Sequence, residues 1–538
     1  MTSMNGATSG VPAPVNEPAL AYAPRSAERI ALDMALRQAG GSRVEIPLVI
    51  GGRAVRTGRL GECRAPHDHR KVLATFHQGG AREVAAAIAA ARAARRGWAA
   101  PPWRERAAIF LRAADLLAGP WRQTLNAATM LGQGKPIAEA EADAACELAD
   151  FWRFNAFFMQ EIHARHPRST ADATNWMDYR PLEGFVFAAT PFNFTAIGGN
   201  LPTAPAMMGN AVVWKPASTA VLSAHHVMRL LEAAGLPPGV INMVPGPGAA
   251  VGDPVLASEH LAGVHFTGSN AVFDGIWRTI GGRIDRYRTY PRIVGETGGK
   301  GFVFAHPSAD VDALAAALAQ GAFGYQGQKC SAASRAYVPK SLWPSLKRRL
   351  LERVAAIKVG DVADPSTGMG AVIDRHAFES IRGFIGHAKA RPGAARIIHG
   401  GGSDDARGWF VEPTVIVASD PRCRTMEEEI FGPVLTVFVY PDRDLKKAVA
   451  LCDQTSPYAL TGSIFAADRR ALEGLAAALR DAAGNLYLND KPTGAVVGQQ
   501  PFGGARRSGT NDKAGSELNL IRWTSPRAIK EPSTRAPR

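Results

Sequence analysis

The sequence predicts an α/β protein built around parallel sheets, and three observations carry that prediction. From Gly184 onward, short runs rich in Val, Ile, Phe and Ala alternate with helical patterns. This is the pattern of a parallel sheet with crossover helices and of a nucleotide-binding domain. A second alternating region extends from Gly301 to about Tyr487. Between residues 81 and 164 the chain instead keeps long Ala/Leu/Arg periodicity, which reads as helix. A length of 538 residues leaves room for about two to four domains.

Taken in order, residues 1–45 read as an extended arm with one helix over 26–38, and 45–50 as a short strand. After the helical stretch, Pro, Ser, Thr and Asn break the pattern over 165–181, with a strand returning at 176–180. Strands follow at Phe185–Ala189, 211–214, 240–244 and 263–266, and a short helix covers 203–209. Ser218 or Thr219 is expected to cap a helix that stops at Gly235. In the second region the expected elements are a strand at 301–305, the helix Val311–Phe323, the strand Arg335–Pro339, a helix at 342–357 and a strand at 434–439. A last strand-like run lies at 522–531, and the sequence contains no internal repeat.

The composition, 46% hydrophobic and 20% charged, is that of a soluble globular chain. It has no uninterrupted apolar stretch of about 18 residues, so no membrane-spanning helix is expected. The first 31 residues lack the charged start and apolar core of a secretory signal. Five scattered cysteines without CxxC or close His pairing argue against a metal site or a disulfide framework and fit a reducing cytoplasm. The net charge of +14 raises nucleic acid as a partner. However, Arg is spread over the solvent faces of helices, and residues 522–538 alone carry five Lys/Arg against one acid. With no nucleic-acid-binding motif, the excess is better read as attracting anionic substrate and cofactor phosphates.

The most informative chemistry is a cysteine and a carboxylate. Cys330 sits in Gly327-Gln328-Lys329-Cys330-Ser331, and Glu296 in Gly295-Glu296-Thr297-Gly298-Gly299-Lys300. A thiolate can attack a carbonyl, and a separate carboxylate can activate the water that releases the acyl group. Asn193, in Thr190-Pro191-Phe192-Asn193-Phe194, offers an amide for a developing oxyanion or, equally, plain turn chemistry. Phe266-Thr267-Gly268-Ser269 reads as a strand end entering a helix, a place for a pyrophosphate or a simple cap. Lys215, in Trp214-Lys215-Pro216, suits a ribose or phosphate. The acids of Glu427-Glu428-Glu429-Ile430-Phe431 suit ribose hydroxyls or a helix N-terminus. Gly246-Pro247-Gly248-Ala249-Ala250-Val251-Gly252 misses the dinucleotide fingerprint spacing by one residue.

In this order, together with Pro501-Phe502-Gly503-Gly504, these motifs resemble the aldehyde dehydrogenase superfamily over roughly residues 45–530. The runs 193–201, 327–332, 498–504 and 508–513 resemble its Δ1-pyrroline-5-carboxylate dehydrogenase branch in stand-alone form. The resemblance implies an aldehyde dehydrogenase-like fold in three parts. A Rossmann-like NAD-binding domain comprises 46–165 and 185–298, an α/β catalytic domain 299–495, and an oligomerisation flap 166–184 with 505–538. It implies NAD-dependent oxidation of L-glutamate γ-semialdehyde to glutamate, the second step of proline breakdown.

By the same resemblance Cys330 is the nucleophile, Glu296 the base for water, and Asn193 the oxyanion donor beside the Cys330 amide. Lys215 and Glu429 meet ribose hydroxyls, Gly268 and Ser269 the pyrophosphate, and Phe431 the nicotinamide ribose. Ser218 stands where NAD-preferring relatives often carry an acid, which implies NAD with tolerance of NADP. Ser331, Gly494 and Ala495 receive the substrate carboxylate, and some relatives carry Ser where this chain has Ala495. Phe194 and Phe502 sandwich the aliphatic chain, and Glu147 and Lys329 line the pocket. The family also implies a small-molecule substrate, a homodimer or larger homo-oligomer, and contact with a separate proline dehydrogenase, without nucleic acid or membrane. The competing readings are a dehydrogenase of another semialdehyde, such as succinic semialdehyde, and a non-catalytic protein that keeps the fold.

Overall fold

The computed structural model describes residues 10–533; the outermost parts of the expected arm and tail, 1–9 and 534–538, lie outside them. Two seven-stranded sheets organise the chain. The first runs, edge to edge, Arg292–Glu296, Leu261–Thr267, Phe185–Ala189, Ala211–Lys215, Ile241–Met243, Leu48–Ile50 and Arg53–Val55. Its first five strands are mutually parallel, and the last two are antiparallel. The central strands Leu261–Thr267, Phe185–Ala189 and Ala211–Lys215 are apolar and buried on both faces, as a sheet covered by helices requires.

The register of this sheet positions the site. Ala189 pairs with Lys215 and with Phe266, and Thr267 pairs with Glu296. Lys215 and Glu296, with the Phe266-Thr267 strand end between them, therefore arrive together at the carboxyl edge, where open α/β sheets bind ligands.

The second sheet runs Ala395–His399, Thr414–Ala418, Val434–Tyr440, Arg335–Pro339, Phe302–Ala305, Thr461–Phe465 and Asn485–Leu488. All of its neighbours are parallel except the first pair. A smaller sheet joins Val44–Ile46, Asp68–His77 and Leu60–Ala65. A two-stranded ribbon joins Ala173–Pro181, mostly half-buried, to Thr524–Pro532, mostly exposed, in antiparallel register.

Several local expectations need correction. The strand expected over 45–50 is two strands in different sheets, Val44–Ile46 and Leu48–Ile50, because Pro47 between them has no N–H to donate. The short helix expected over 203–209 is Thr195–Met207, which runs through Pro202 and Pro205. Neither Ser218 nor Thr219 caps the following helix through its side chain: residues 218–220 form a 3-10 turn leading into Val221–Ala233. Gly235, just beyond that helix, has the positive φ of a helix stop. Glu427 closes the four-residue helix Arg424–Glu427 and Glu428 is its C-cap, so this acid cluster is not at a helix N-terminus.

The helical region resolves into Ala81–Ala99, Trp103–Ala118, Arg122–Gln133 and a long element from Ile137 to His163. Within the last, Glu141–Glu147 is wound as a π-helix, a geometry that recurs at functional sites. Its widened turn carries Asp143, Cys146 and Glu147 on the side facing the cavity described below.

Candidate active site

The cysteine loop leaves the helix Val311–Phe323 through three consecutive left-handed residues, Tyr325, Gln326 and Gly327, with φ of 49°, 56° and 65°. For the two non-glycine residues this conformation costs about 1–2 kcal/mol each, and the surroundings hold it. The Tyr325 hydroxyl donates to the Gln133 carbonyl at 2.9 Å. The Gln326 amide donates to the carbonyls of Gly134 and Ala371 and accepts from Gly370 N–H. Gly327 is obligatory, since a Cβ there would sit 2.2 Å from the Gly432 carbonyl oxygen.

Two cavities meet at this loop. One, of about 650 Å³, opens at the carboxyl edge of the first sheet and includes Lys215, Gly268, Ser269, Glu429, Phe431 and Asn193 in its wall. The other, of about 310 Å³, includes Glu296, Glu147, Phe194 and Lys329, and also Ser331, Gly494, Ala495 and Phe502. Cys330, Phe266 and Thr267 line both. The structure therefore gathers the sequence-predicted residues around one sulfur. The exception is Ser218, which is exposed and does not line the larger cavity.

At the junction, Asn193 is buried and its side-chain amide donates to the Gln328 carbonyl at 3.1 Å, which holds it against the cysteine loop. Gly299 passes so close that a Cβ would lie 2.0 Å from the Cys330 carbonyl oxygen. The N–H of Gly299 donates to Glu429 at 2.7 Å, tying the glutamate strand, the cysteine loop and Glu429 together. Burial, with Glu296 and Glu429 nearby, pushes the Cys330 thiol well above its ordinary value, so it rests protonated. Burial likewise raises Glu296 to about 8, against the attraction of Lys513, and leaves its Oε1 without a hydrogen-bond partner. An unsatisfied buried carboxyl oxygen suits a group that waits for a water.

The larger cavity fits a dinucleotide. The N-termini of two helices, Gly248–Leu256 and Asn270–Gly281, both contribute to its wall. Gly248, Gly252 and Gly275 line it, and a Cβ added at any of them would meet nothing within 4 Å, so the space in front of these backbones is free. Ser269 caps the second helix by accepting from Val272 N–H, so it is at once a cap and a lining residue. Burial lowers the Lys215 ammonium and raises Glu429 to about 7. A ligand offering hydroxyls to both would compensate them.

The smaller cavity is walled by ion pairs that the sequence did not reveal. Lys329 bonds Glu139 at 2.7 Å. Fully buried Lys135 bonds Asp143 at 2.7 Å and lies over the rings of Phe194 and Tyr325. Burial opposes ionisation of Glu139, but Lys329 and Lys135 outweigh it and hold the carboxyl below its usual range. Burial and the charge of Asp143 raise Glu147. Ser331 and Thr493 share a 2.8 Å hydroxyl hydrogen bond. Thr493, Glu139, Lys135 and Asp143 went unsingled in the sequence because no local spacing links them to Cys330. Gly248 sits in the glycine run whose spacing fits no fingerprint, yet it lines the cofactor side.

This arrangement sets a buried thiol between two cavities, with a buried, unpartnered carboxyl oxygen in one of them, and the family model for the aldehyde dehydrogenase family matches residues 55–529. The chain belongs to the aldehyde dehydrogenase family. It is 52% identical over 528 residues to a mitochondrial Delta-1-pyrroline-5-carboxylate dehydrogenase of Dictyostelium discoideum, covering 98% of this chain and 94% of that protein. It superposes with a TM-score of 0.95 and 53% identity on the NAD-bound Delta-pyrroline-5-carboxylate dehydrogenase of Mycobacterium tuberculosis, covering 99% and 98% of the two chains. Proline utilization A from Bdellovibrio bacteriovorus matches with a TM-score of 0.92 and 31% identity; 97% of this chain is covered but only 53% of that one. In this aldehyde dehydrogenase no helix among the described residues is long and apolar enough to cross a membrane.

Proposed function

We propose that this aldehyde dehydrogenase oxidises L-glutamate γ-semialdehyde, the hydrolysed form of Δ1-pyrroline-5-carboxylate, to L-glutamate with NAD as oxidant. The observation that carries the reading is the meeting of the two cavities at Cys330, which is lined by both. Lys215, Glu429 and the turn at Gly268-Ser269 would hold NAD, which when bound would supply the hydride acceptor.

The Cys330 thiol gives up its proton through water to the solvent as its sulfur forms a C–S bond to the aldehyde carbon, and the carbonyl oxygen becomes an oxyanion. Asn193 and the Cys330 N–H donate to that oxygen. Such donors act strongly in a buried site because they are already oriented. Loss of hydride from the carbon leaves a thioester on Cys330. Glu296 takes a proton from water as the water attacks the thioester carbonyl; the C–S bond then breaks, the leaving sulfur takes that proton back from Glu296, and glutamate is released. Phe194 and Phe502 flank the aliphatic chain. Ser331, with Gly494 and Ala495, receives the carboxylate, and Lys329 and Glu147 complete the polar wall. Phe431, edge-on to Phe192 at 5.9 Å, would pack near the nicotinamide ribose.

Ser218 places no carboxylate three residues beyond Lys215, which leaves NADP as a tolerated second cofactor. The ribbon of Ala173–Pro181 and Thr524–Pro532 supports a homodimer or larger homo-oligomer, because an isolated two-stranded ribbon is marginally stable until something covers it. We divide the chain into a cofactor domain of 46–165 and 185–298, a catalytic domain of 299–495 and a flap of 166–184 with 505–538. The similarity to proline utilization A supports contact with a separate proline-oxidising enzyme. Five unpaired cysteines support a reducing compartment, the cytoplasm; the mitochondrial relative makes cell fractionation the deciding measurement.

The test is NADH formation with Δ1-pyrroline-5-carboxylate, succinic semialdehyde and propanal, repeated with NADP, for the wild type and Cys330→Ala. Preference for the first substrate, lost by at least about a thousandfold in the variant, is expected for a covalent nucleophile. Turnover of propanal and succinic semialdehyde alone would remove the substrate assignment.

A further inference from the structure

The wall of the substrate cavity contains residues from the far end of the chain. Asn16, Glu17 and Ala19 line it beside Asp150, Val496 and Val497. The arm that carries them is anchored by buried charge. Glu17 bonds Arg122 and Arg153, each at 2.6 Å, and Arg122 donates to the Pro18 carbonyl at 2.8 Å. Glu141 accepts from Leu20 N–H and from the Tyr22 hydroxyl.

Asn16 uses its whole side-chain amide. Its Nδ2 donates to Asp150 Oδ2 and to the Val497 carbonyl, both at 2.8 Å, and its Oδ1 accepts from Gln499 at 3.0 Å. The other Asp150 oxygen accepts from Glu17 N–H at 2.7 Å. Two consequences follow. First, Asp150 is 3% exposed, and the arm hydrogen-bonds both of its oxygens, in the same cavity that must admit an anionic substrate. Second, the loop after the strand Asn485–Leu488 is tied on either side of Gly494 and Ala495. Thr493 is held by Ser331 on one side, and Val497 with Gln499 by Asn16 on the other.

We propose that Asn16 is a positioning residue for substrate: it cross-links the carboxylate-receiving loop to the cavity helix through Asp150, so that recognition of the substrate carboxylate depends on the N-terminal arm. This rests on the substrate reading above. Asn16 touches no reacting atom and acts through the backbone amides of Gly494 and Ala495 and through the charge of Asp150.

The experiment takes the full chain with Asn16→Ala and, as a milder cut that removes one of the two loop contacts from an exposed position, Gln499→Ala. Steady-state kinetics are measured with Δ1-pyrroline-5-carboxylate and with propanal, which has no carboxylate. Amide hydrogen exchange over residues 494–500 is followed without substrate. Asn16→Ala is expected to raise KM for pyrroline-5-carboxylate about tenfold, with kcat changing less, because hydrogen bonds to a charged group are lost. The kcat/KM ratio of pyrroline-5-carboxylate over propanal should fall by a similar factor, and exchange in the loop should accelerate. Gln499→Ala should move all three in the same direction by less. An equal loss on both aldehydes, or unaltered loop exchange in both variants, overturns the proposal. A wild type inactive on pyrroline-5-carboxylate would sink the substrate reading, and loop exchange would still decide whether Asn16 holds the loop.

Discussion

The two sides of Cys330 are built in opposite ways. The cofactor side is made by regular structure: strand ends brought level by sheet register, two helix N-termini, and glycines that leave room. Its polar groups, Lys215 and Glu429, have few protein partners and are left to a ligand. The substrate side is assembled from segments hundreds of residues apart, the arm at 16–19, the π-wound turn at 141–147 and the loops at 493–502 and 512–514, and is stitched by ion pairs such as Lys135–Asp143 and Lys329–Glu139. A site for a shared cofactor can be supplied by the fold itself. A site for one small anion needs charges held at fixed places, and those charges must be paired before the substrate comes.

The sharpest probe lies on the seam between the sides. Glu296→Gln should keep acyl-enzyme formation and slow its hydrolysis by about 10²–10⁴-fold, the usual worth of a general base. Rapid mixing should show a burst of NADH followed by near silence. In the wild type the base form accumulates as pH rises toward about 8, so hydrolysis should quicken through that range and the glutamine variant should lose the slope. A pH-independent wild type would place the base elsewhere.

Next in size is the substrate side. Lys135→Met leaves Asp143 buried with only the N–H groups of Thr195 and Ala196. Breaking one half of such a pair costs about 3–5 kcal/mol, to be read by chemical denaturation. A change near zero would mean that the ionic stitching is dispensable. The smallest effect belongs to the cofactor side. Ser269→Ala removes a helix cap worth about 0.5–2 kcal/mol and should raise KM for NAD more than KM for the aldehyde. An aldehyde KM that rose as much would erase the contrast.

The same contrast explains what the sequence could show. Phe185–Ala189, Val311–Phe323 and Arg335–Pro339 match their expected bounds because apolar runs between turn residues are local signals. The cysteine, the glutamate and the cofactor residues sit beside such elements and inherit their legibility. Asn16, Glu139, Lys135 and Thr493 do not. Each looks like an ordinary polar residue until the chain folds, since its meaning lies in a partner far away in sequence. The helix through Pro202 and Pro205 differs from expectation for another reason: tertiary packing overrides local propensity.

The protonated state of Cys330 also bears on how the molecule ages. Oxidants and alkylating agents attack thiolates, so a sulfur kept in its thiol form by burial is chemically quiet between turnovers. The other four cysteines are free and buried too. Burial thus shields all five sulfhydryls, the one between the two cavities included, from reagents in solution.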